Sequence, residues 1–340
     1  MRVEGYELRP LQADVSSEFT RKSTVIVMHG GGHEGVGEDV SYDAVDQEAL
    51  QAGAIQPLAG EHTIASLSER LAGLDLFPST PQREVSRLYR VWAYESAALD
   101  LALRQAGESL HARLGRQAAP VRFVVSLRLG EPPRLDHVRR LLQGYPTLRF
   151  KLDPTSSWSD ALVAELAELD VVDTLDLKGL YEGSVVDQGP DAELYRRVAE
   201  GLPGAWLEDP ALTEETRAAL AGQEDRITWD ANLHGPGDLD TLAFPPRTVN
   251  VKPSRLGGLR SLLDTYDLLA ERGIGAYGGG QFELGPGRGQ IQYLASLFHP
   301  DAPNDVAPAG FNLPESPAGL PSSPLPPSPS PTGFRWLGSD

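Results

Sequence analysis

Five charged residues stand at the ends of five consecutive predicted β-strands in the middle of the chain. They are Lys151, Asp176, Glu208, Asp230 and Lys252. If the strands are parallel, their carboxyl ends share one rim, so the three acids converge there. Three carboxylates provide the oxygen ligands that Mg²⁺ prefers, with positions left for water and substrate. The two lysines precede and follow the acids, and they would face each other across whatever the metal holds.

Lysine is scarce in this chain, which draws attention to the two strand-end lysines. Of the 30 basic residues only four are lysines: Lys22, Lys151, Lys178 and Lys252. Arginine therefore serves wherever a generic positive charge suffices. Any one of the five strand-end residues alone is typical of a solvated loop or an ion pair, but five in strand order favour a functional site.

The strands that carry these residues recur at a regular spacing. From Val121 onward, apolar runs alternate with amphipathic segments, and their centres lie about 26 residues apart, the period of one strand, one helix and two loops in a parallel sheet. Eight such runs favour a closed (β/α) barrel over a doubly wound sheet. The predicted strands are Arg122–Leu127, Leu148–Leu152, Val172–Leu177, Ala205–Leu207, Ile227–Trp229, Thr248–Val251, Gly275–Tyr277 and Asp305–Ala307. The predicted helices are Asp160–Leu169, Ala192–Gly201, Glu214–Leu220, Leu259–Arg272 and Gln290–Leu297.

Two further regions flank the predicted barrel of residues 119–311. Residues 1–118 predict an α+β capping domain, in which Val3–Leu8 is expected to pair with Thr24–Met28, before a long helix over Glu84–Leu103. Residues 312–340 are rich in proline and serine and predict an extended strap, with a disordered tail as the alternative. The apolar stretch Phe334-Arg335-Trp336-Leu337 favours a strap that returns to the capping domain, where these side chains are buried.

Composition excludes several classes of protein. The chain has no cysteine, which rules out disulfides, thiolate metal sites and cysteine nucleophiles. Its net charge is −18, so its average surface repels nucleic acids and anionic membranes. No apolar run approaches the roughly 18 residues that span a bilayer, and the amino terminus has no signal-peptide pattern, so we expect a cytoplasmic protein. Whether the chain forms a homo-oligomer stays open.

A glycine-rich segment after Met28 matches two motifs in letter but not in context. Gly30-Gly31-Gly32-His33-Glu34-Gly35 has the spacing of a dinucleotide-binding loop, but no helix follows it to hold a pyrophosphate. His29-Gly30-Gly31-Gly32 is also found in esterases, but the serine motif of that class is absent. A flexible loop fixes metal ligands poorly, so we interpret His29 and His33 as candidate substrate-binding residues or plain surface groups.

As a set, the strand-end motifs resemble those of the enolase superfamily, and within it the muconate-lactonizing subgroup. The resemblance covers most of the chain and includes the helix that begins Val91-Trp92-Ala93-Tyr94-Glu95 and leads into the barrel. It implies a modified TIM barrel, (β/α)7β, with an α+β capping domain that the carboxyl-terminal segment completes. The barrel motifs are Arg149-Phe150-Lys151, Leu175-Asp176-Leu177-Lys178, Trp206-Leu207-Glu208-Asp209-Pro210, Trp229-Asp230-Ala231-Asn232, Val251-Lys252-Pro253 and Gly278-Gly279-Gly280-Gln281-Phe282-Glu283-Leu284-Gly285.

The resemblance implies a reaction as well as a fold. One Mg²⁺, which Mn²⁺ could replace, would be held by Asp176, Glu208 and Asp230 and would stabilise the enediolate of a small-molecule carboxylate substrate. Lys151 would be the principal base, with a pKa lowered by desolvation, by Arg149 and by the metal. Lys252 would deliver a proton in a racemisation or epimerisation, or act as a fixed cation in a cycloisomerisation. The alternatives are a dehydratase resembling o-succinylbenzoate synthase and a binding relative without turnover.

Other residues depart from the family pattern or extend it. Arg149 stands where a lysine is common, and we interpret it as an electrostatic or substrate-positioning group because an arginine cannot act as a base. Lys178 stands where asparagine is frequent, and it either binds an anionic group or pairs with a nearby acid. Glu283 either meets substrate or bonds a neighbouring strand end, and Asn232 is a further candidate contact. The substrate is expected to be read by the loop from His29 to Tyr42 and by the stretch around Ser16 to Phe19.

Overall fold

The chain begins with an antiparallel sheet that packs on a long helix. The computed structural model of the protein describes residues 1–16, 19–181, 188–313 and 316–338. Its first elements are β1 (Arg2–Val3), β2 (Gly5–Ser16), β3 (Phe19–Gly30), β4 (His33–Asp39), α1 (Ala44–Ala52), β5 (Gly60–Glu61), α2 (Ile64–Ala72), α3 (Ser86–Ala106) and α4 (Leu110–Leu114). The sheet order is β2-β3-β4, and Leu8 pairs with Ile26, so the predicted pairing of these two strands is confirmed.

The glycine-rich segment after Met28 is a hairpin rather than a ligand loop. Gly31 and Gly32 form its two-residue turn, with φ angles of +56° and +78° that suit glycine. Gly35 and Gly37 lie on β4 against α3, where a Cβ atom would come within 2.2 Å of the Ala97 carbonyl oxygen or 2.1 Å of that of Ala93. Here the glycines therefore allow close packing of strand on helix.

The second half of the chain is the predicted barrel. Its strands are β6 (Val125–Leu127), β7 (Phe150–Leu152), β8 (Val172–Asp176), β9 (Trp206–Glu208), β10 (Ile227–Thr228), β11 (Thr248–Val251) and β12 (Gly275–Gly278). Its helices are α5 (Asp136–Gly144), α6 (Asp160–Leu169), α7 (Ala192–Gly201), α8 (Glu214–Ala219), α9 (Pro253–Leu256), α10 (Leu259–Arg272) and α11 (Pro286–Phe298). Each predicted helix coincides with an observed one to within four residues at either end.

All neighbouring barrel strands are parallel, and the ring closes through the eighth predicted strand. β6 to β10 form one sheet, and β11 pairs with β12. Single backbone hydrogen bonds join the remaining neighbours: Asn250 N–H to the Trp229 oxygen at 2.9 Å, Asp305 N–H to the Gly278 oxygen at 2.8 Å, and Val124 N–H to the Asn304 oxygen at 2.8 Å. The predicted capped barrel is confirmed.

The capping sheet is attached to the loop after β12 by two buried charged residues. Arg21 of β3 has a fully buried guanidinium, which donates to four backbone carbonyls. These belong to Val40, Ser41, Gln281 and Phe282. Glu38 of β4 accepts three backbone N–H groups, from Leu284, Gly285 and Gly287. The cap therefore holds in place the loop that follows the seventh strand.

The carboxyl-terminal segment of residues 316–338 packs on the capping helix α3. Phe334 lies edge-on against Trp92, with ring centroids 6.3 Å apart. Its backbone N–H donates to Asp100 Oδ1 at 2.8 Å, and Arg335 Nε donates to the other oxygen of the same carboxylate, also at 2.8 Å. The buried apolar ring and the buried carboxylate together fix the end of the segment. The predicted boundaries at residues 118 and 311 stay predictions.

No helix among the described residues is both long and apolar enough to cross a membrane.

A buried histidine near the barrel seam makes the stability of the fold depend on pH. His299 Nδ1 lies 2.6 Å from Asn304 Oδ1, and its Nε2 lies 3.0 Å from the Tyr266 hydroxyl. The same Asn304 oxygen accepts the Gly278 N–H, so Nδ1 carries the hydrogen and Nε2 is the acceptor. Burial lowers the pKa of His299 from 6.5 to about 4.

We expect the free energy of unfolding to fall as the pH falls from 6.5 towards about 4. In this window the unfolded histidine binds a proton that folded His299 does not, and the loss approaches about 3 kcal/mol at the acid end. Urea unfolding at pH 7 and pH 5 measures it. His299→Gln should reduce this pH dependence, whereas His33→Gln at the exposed hairpin turn should not. Equal pH dependence in all three proteins would contradict the assignment.

Candidate active site

Three carboxylates meet at the carboxyl ends of β8 and β9. Asp176 is the last residue of β8, Glu208 is the last of β9, and Asp209 follows it. All three are fully buried, and one oxygen atom from each lies within 4.8 Å of the others. Carboxylates buried this closely need a cation or a proton among them, since their mutual repulsion is weakly screened away from water.

Lys151 of β7 supplies one cation. Its side chain is only 2% exposed, and its ammonium contacts Glu208 Oε1 and lies 3.0 Å from Asp176 Oδ2. Burial by itself lowers the pKa of Lys151, but Asp176 and Glu208 outweigh it and hold that pKa well above its usual value. The acids, not Arg149, surround this amine, and the lowered pKa expected beside a bound metal stays a prediction.

Lys252 lies at the end of β11, on the side of the ring opposite Lys151. Its ammonium is 2.7 Å from Asp230 Oδ2, which also accepts the Tyr181 hydroxyl at 3.0 Å. Arg255, on the one-turn helix α9, places its Nε 3.5 Å from Asp230 Oδ1, and that oxygen is buried without a hydrogen bond. These cations hold the pKa of Asp230 below its usual range despite burial.

Lys178 follows β8 and turns back towards it. Its ammonium contacts Asp176 Oδ2 and lies 3.7 Å from Asp153 Oδ1. Burial lowers the pKa of Lys178, and the two acids raise it above its usual value, so the side chain is charged. The sequence left two roles open for Lys178, binding of an anionic group and pairing with a nearby acid. This position is compatible with both, because Lys178 pairs with acids and also lines a cavity.

One cavity of about 450 Å³ opens between the cap and this rim of the barrel. Both strand-end lysines line it, as do four arginines, His234 and the aromatic residues Tyr42, Tyr89, Tyr181 and Phe282. The arginines are Arg83 from the cap, Arg128 after β6, Arg255 on α9 and Arg288 on α11. A volume of this size suits a small-molecule ligand, and the cations suit an anionic one.

Three predicted substrate contacts lie elsewhere. His29 and His33 flank the hairpin turn, where His29 Nδ1 is 3.6 Å from Glu34 Oε1, and neither lines the cavity. Arg149 contacts Asp173 and donates to the Asp170 carbonyl at 2.7 Å, also away from the cavity. The expectations for these three residues are corrected, because sequence proximity to a glycine turn or to a catalytic lysine does not place a side chain at the rim.

Neither Glu283 nor Asn232 lines the cavity. Glu283 accepts the Gln281 N–H at 2.7 Å and lies 3.5 Å from Arg288, so it supports two residues that do line the cavity. Asn232 follows the cavity residue Ala231, and its side-chain oxygen is buried without a partner. Two regions were expected to determine substrate specificity. The loop from His29 to Tyr42 reaches the cavity through Tyr42. In the stretch around Ser16 to Phe19, residues 17 and 18 lie outside the described residues.

Two site residues were missed from the sequence, Asp209 and Arg255. Asp209 has a positive φ of +49°, and its two oxygens accept the N–H groups of Asp230 and Ala231, each at 2.9 Å. Burial and the neighbouring acids raise its pKa to about 7. Two features of the sequence could have indicated these residues. Asp209 is a second acid directly after Glu208, and Arg255 is an arginine three residues after Lys252.

Comparison with known proteins identifies the family. Residues 117–313 match the profile described as "Domain of unknown function (DUF8230) C-terminal domain", and residues 1–113 match the corresponding N-terminal domain. An N-succinylamino acid racemase of Thermus thermophilus is 28% identical, over 91% of this chain and 86% of its own. An o-succinylbenzoate synthase of Geobacillus stearothermophilus is 26% identical, over 90% of this chain and 85% of its own.

The chain belongs to the DUF8230 family and to the enolase superfamily. As a member of the superfamily it is an enzyme of the isomerase or lyase kind, and the predicted recognition is confirmed. The alternative of a binding relative without turnover is therefore set aside.

Solved structures share the fold of this superfamily member. The dipeptide epimerase of Methylococcus capsulatus, complexed with Mg ion, has a TM-score of 0.69 and 19% identity, over 93% of this chain and 92% of its own. The dipeptide epimerase of Enterococcus faecalis has a TM-score of 0.70 and 16% identity, over 98% and 99%. Muconate cycloisomerase of Pseudomonas fluorescens has a TM-score of 0.65 and 18% identity, over 99% and 96%.

Proposed function

We propose that this protein racemises or epimerises a carboxylate substrate at the carbon next to the carboxylate, with Lys151 and Lys252 as the two proton-transferring groups. One observation carries the proposal. Two buried lysines, on the second and sixth strands of an eight-membered ring, line the same cavity from opposite sides. A reaction that inverts a stereocentre through a planar intermediate needs one proton donor or acceptor on each face, and this arrangement provides both.

The buried acids fit a divalent cation with a preference for oxygen ligands. Asp176 and Glu208 offer oxygens at the rim, and Asp230 Oδ1 is a buried acceptor without a hydrogen bond. Both oxygens of Asp209 already accept backbone N–H groups, which suits a residue that orients the Asp230 loop. We therefore assign Asp176, Glu208 and Asp230 as the ligands of one Mg²⁺. When bound, the ion stabilises the negative charge that develops on the substrate carboxylate.

The chain's own groups order the proton transfers. Lys151 Nζ is held by Glu208 and Asp176, and Tyr277 donates its hydroxyl hydrogen to the same Glu208. Lys252 Nζ is held by Asp230. Each amine thus has a fixed position on its own side of the cavity. Because Asp176 and Glu208 hold Lys151 charged, it can act as the base only when a cation bound by these two acids offsets their charge and lowers its pKa. The neutral amine then removes the α-proton, and the other, as an ammonium, returns a proton to the opposite face.

An N-acylated amino acid is the first substrate class to test. The two full-length relatives carry names that contain an N-succinylamino acid and a succinylbenzoate, which share a carboxylate and a succinyl group. The cavity lining joins cations such as Arg83 and Arg288 to apolar side chains such as Val85 and Phe282, which suits an anionic substrate with an apolar side chain.

A dehydratase of the o-succinylbenzoate synthase kind is the second candidate, because a relative of that name matches 90% of this chain. In that reaction a single base suffices, and the second lysine acts as a fixed cation. A cycloisomerisation would use the same residues with an intramolecular leaving group. These reactions differ from racemisation in their products, so one experiment separates them.

The experiment follows the α-proton by NMR in D₂O. The purified protein with Mg²⁺ is mixed with each enantiomer of several N-succinylamino acids, and in parallel with a precursor that can lose water. We expect α-proton exchange and convergence of the two enantiomers to a racemate. Loss of water without exchange of the amino acids would favour the dehydratase. Absence of both reactions, also with dipeptides and muconates, would contradict the proposal.

A further inference from the structure

Lys178 lies between a buried carboxylate, Asp176, and a partly buried one, Asp153, and it fully engages only the first. Its ammonium contacts Asp176 Oδ2, and its backbone N–H donates to Asp176 Oδ1 at 3.2 Å. The second carboxylate, Asp153, has its Oδ1 3.7 Å from the same ammonium. Lys178 holds this place with a φ of +53°, a left-handed conformation that is uncommon for a residue with a long side chain.

Asp153 has one satisfied and one unsatisfied oxygen. Its Oδ2 accepts from Arg128 Nε at 3.0 Å. Its Oδ1 is buried and accepts no hydrogen bond. A buried carboxylate oxygen without a donor is costly, since it has given up water and gained nothing. The nearest ammonium is less than 1 Å outside ordinary hydrogen-bond distance, so a rotation of the Lys178 side chain suffices to reach it.

Asp176 is crowded with positive charge. Its Oδ2 contacts the Lys178 ammonium and lies 3.0 Å from that of Lys151. A divalent cation that uses Asp176 as a ligand meets both amines at close range. Like charges at such distances in a buried site repel strongly. Lys151 has Glu208 as a second partner, and Lys178 has Asp153.

We infer that Lys178 is a movable counter-ion that leaves Asp176 for Asp153 when a divalent cation binds, so that Asp153 and Lys178 together set the metal affinity. The inference rests on the metal site of the proposed function. It assigns to Asp153 a role that needs no contact with the metal. Since Lys178 and Asp153 both line the cavity, the move keeps the positive charge of Lys178 beside the substrate.

The test is a calorimetric titration of the full-length protein with Mg²⁺, without substrate. Lys178→Met keeps the side-chain length and removes the charge, and we expect it to bind Mg²⁺ at least about tenfold more tightly. Asp153→Asn leaves Lys178 on Asp176, and we expect binding about tenfold weaker. The double variant carries both substitutions, and we expect its Mg²⁺ affinity to differ from that of Lys178→Met by less than about twofold. The reason is that Asp153 acts on the metal through Lys178, which this variant lacks.

Two control variants separate this coupling from a structural effect. Lys22→Met removes a lysine that pairs with Glu48 on the cap and should leave the affinity unchanged. Arg128→Gln frees the other oxygen of Asp153, strengthens its hold on Lys178, and should tighten Mg²⁺ binding. Weaker binding in Arg128→Gln would show that Asp153→Asn merely disturbs the loop, and it would overturn the inference.

Three further results would overturn the inference: no tightening in Lys178→Met, equal effects of Asp153→Asn with and without Lys178, or no Mg²⁺ binding by any variant. Failure of the proposed reaction is a separate outcome, because no substrate is present in the titration. If the protein shows this coupling but exchanges no α-proton, the inference about Lys178 stands and the proposed reaction is wrong.

Discussion

We expect Lys252→Met to retain α-proton exchange on one enantiomer of the proposed substrate and to lose racemisation. Lys151 still faces one side of the cavity in this variant, so it removes a proton and returns it to the same face. The enantiomer whose proton faces Lys252 is inert, and the two enantiomers no longer interconvert. Lys151→Met has the mirror-image phenotype. The lost reactions fall by about 10²- to 10⁴-fold, the usual contribution of a positioned general base or acid.

This pattern distinguishes a two-base site from its alternatives. NMR exchange on each pure enantiomer, followed by chiral chromatography, measures exchange and inversion separately. If Lys252 were only a fixed cation, its removal would slow both enantiomers alike. Racemisation at an unchanged rate in either variant would remove that lysine from the mechanism. Lys22→Met is the matched control, because Lys22 pairs with Glu48 on the cap and does not line the cavity.

The second large effect concerns the proposed metal ligands. Asp176→Asn and Glu208→Gln should each weaken Mg²⁺ binding by more than about 100-fold, since each removes a charged ligand and one of the two carboxylates that hold Lys151. Exchange activity should fall in parallel. Calorimetry without substrate and the exchange assay at saturating Mg²⁺ measure the two effects.

The third ligand is decided by comparing two asparagine variants. Asp230→Asn should behave like Asp176→Asn, because its unbonded Oδ1 is the proposed ligand atom. Asp209→Asn should weaken binding by only about tenfold, the usual effect of a residue that orients a ligand. It replaces one acceptor of the two N–H groups that fix the Asp230 loop. A larger loss of Mg²⁺ affinity in Asp209→Asn than in Asp230→Asn would make Asp209 the third ligand. Its closeness to Asp176 and Glu208 allows that role.

Much of the barrel was predictable because its pattern is local. Each strand is a short apolar run bounded by polar residues, and each helix shows an apolar face, so their order and spacing are readable without contacts. The ends of α7 and α10 agree with the prediction residue for residue. Once the strands are parallel, their ends share one rim, and the convergence of Lys151, Glu208 and Lys252 follows from topology alone.

The misplaced residues share a different physical reason. Arg149 points to the same face as Lys151 by the period of two, but it lies two residues, or about 7 Å, nearer the other end of the barrel. There it pairs with Asp173, which no sequence pattern connects to it. His29 and His33 lie in a segment that was predicted to be a substrate-facing or surface loop, whereas it forms a hairpin in which Gly35 and Gly37 pack β4 against α3.

The sequence by itself determined the order of the strands, the acidic and basic residues at their ends, and hence the class of chemistry. The tertiary structure alone decided which amine contacts which carboxylate. Lys178 could have faced substrate or an acid, and only the folded chain brings it to Asp176 and within 3.7 Å of Asp153. The reason is that strand patterns depend on neighbours in the chain, whereas ion pairs across the barrel depend on distances between residues far apart in sequence, which only the closed ring sets.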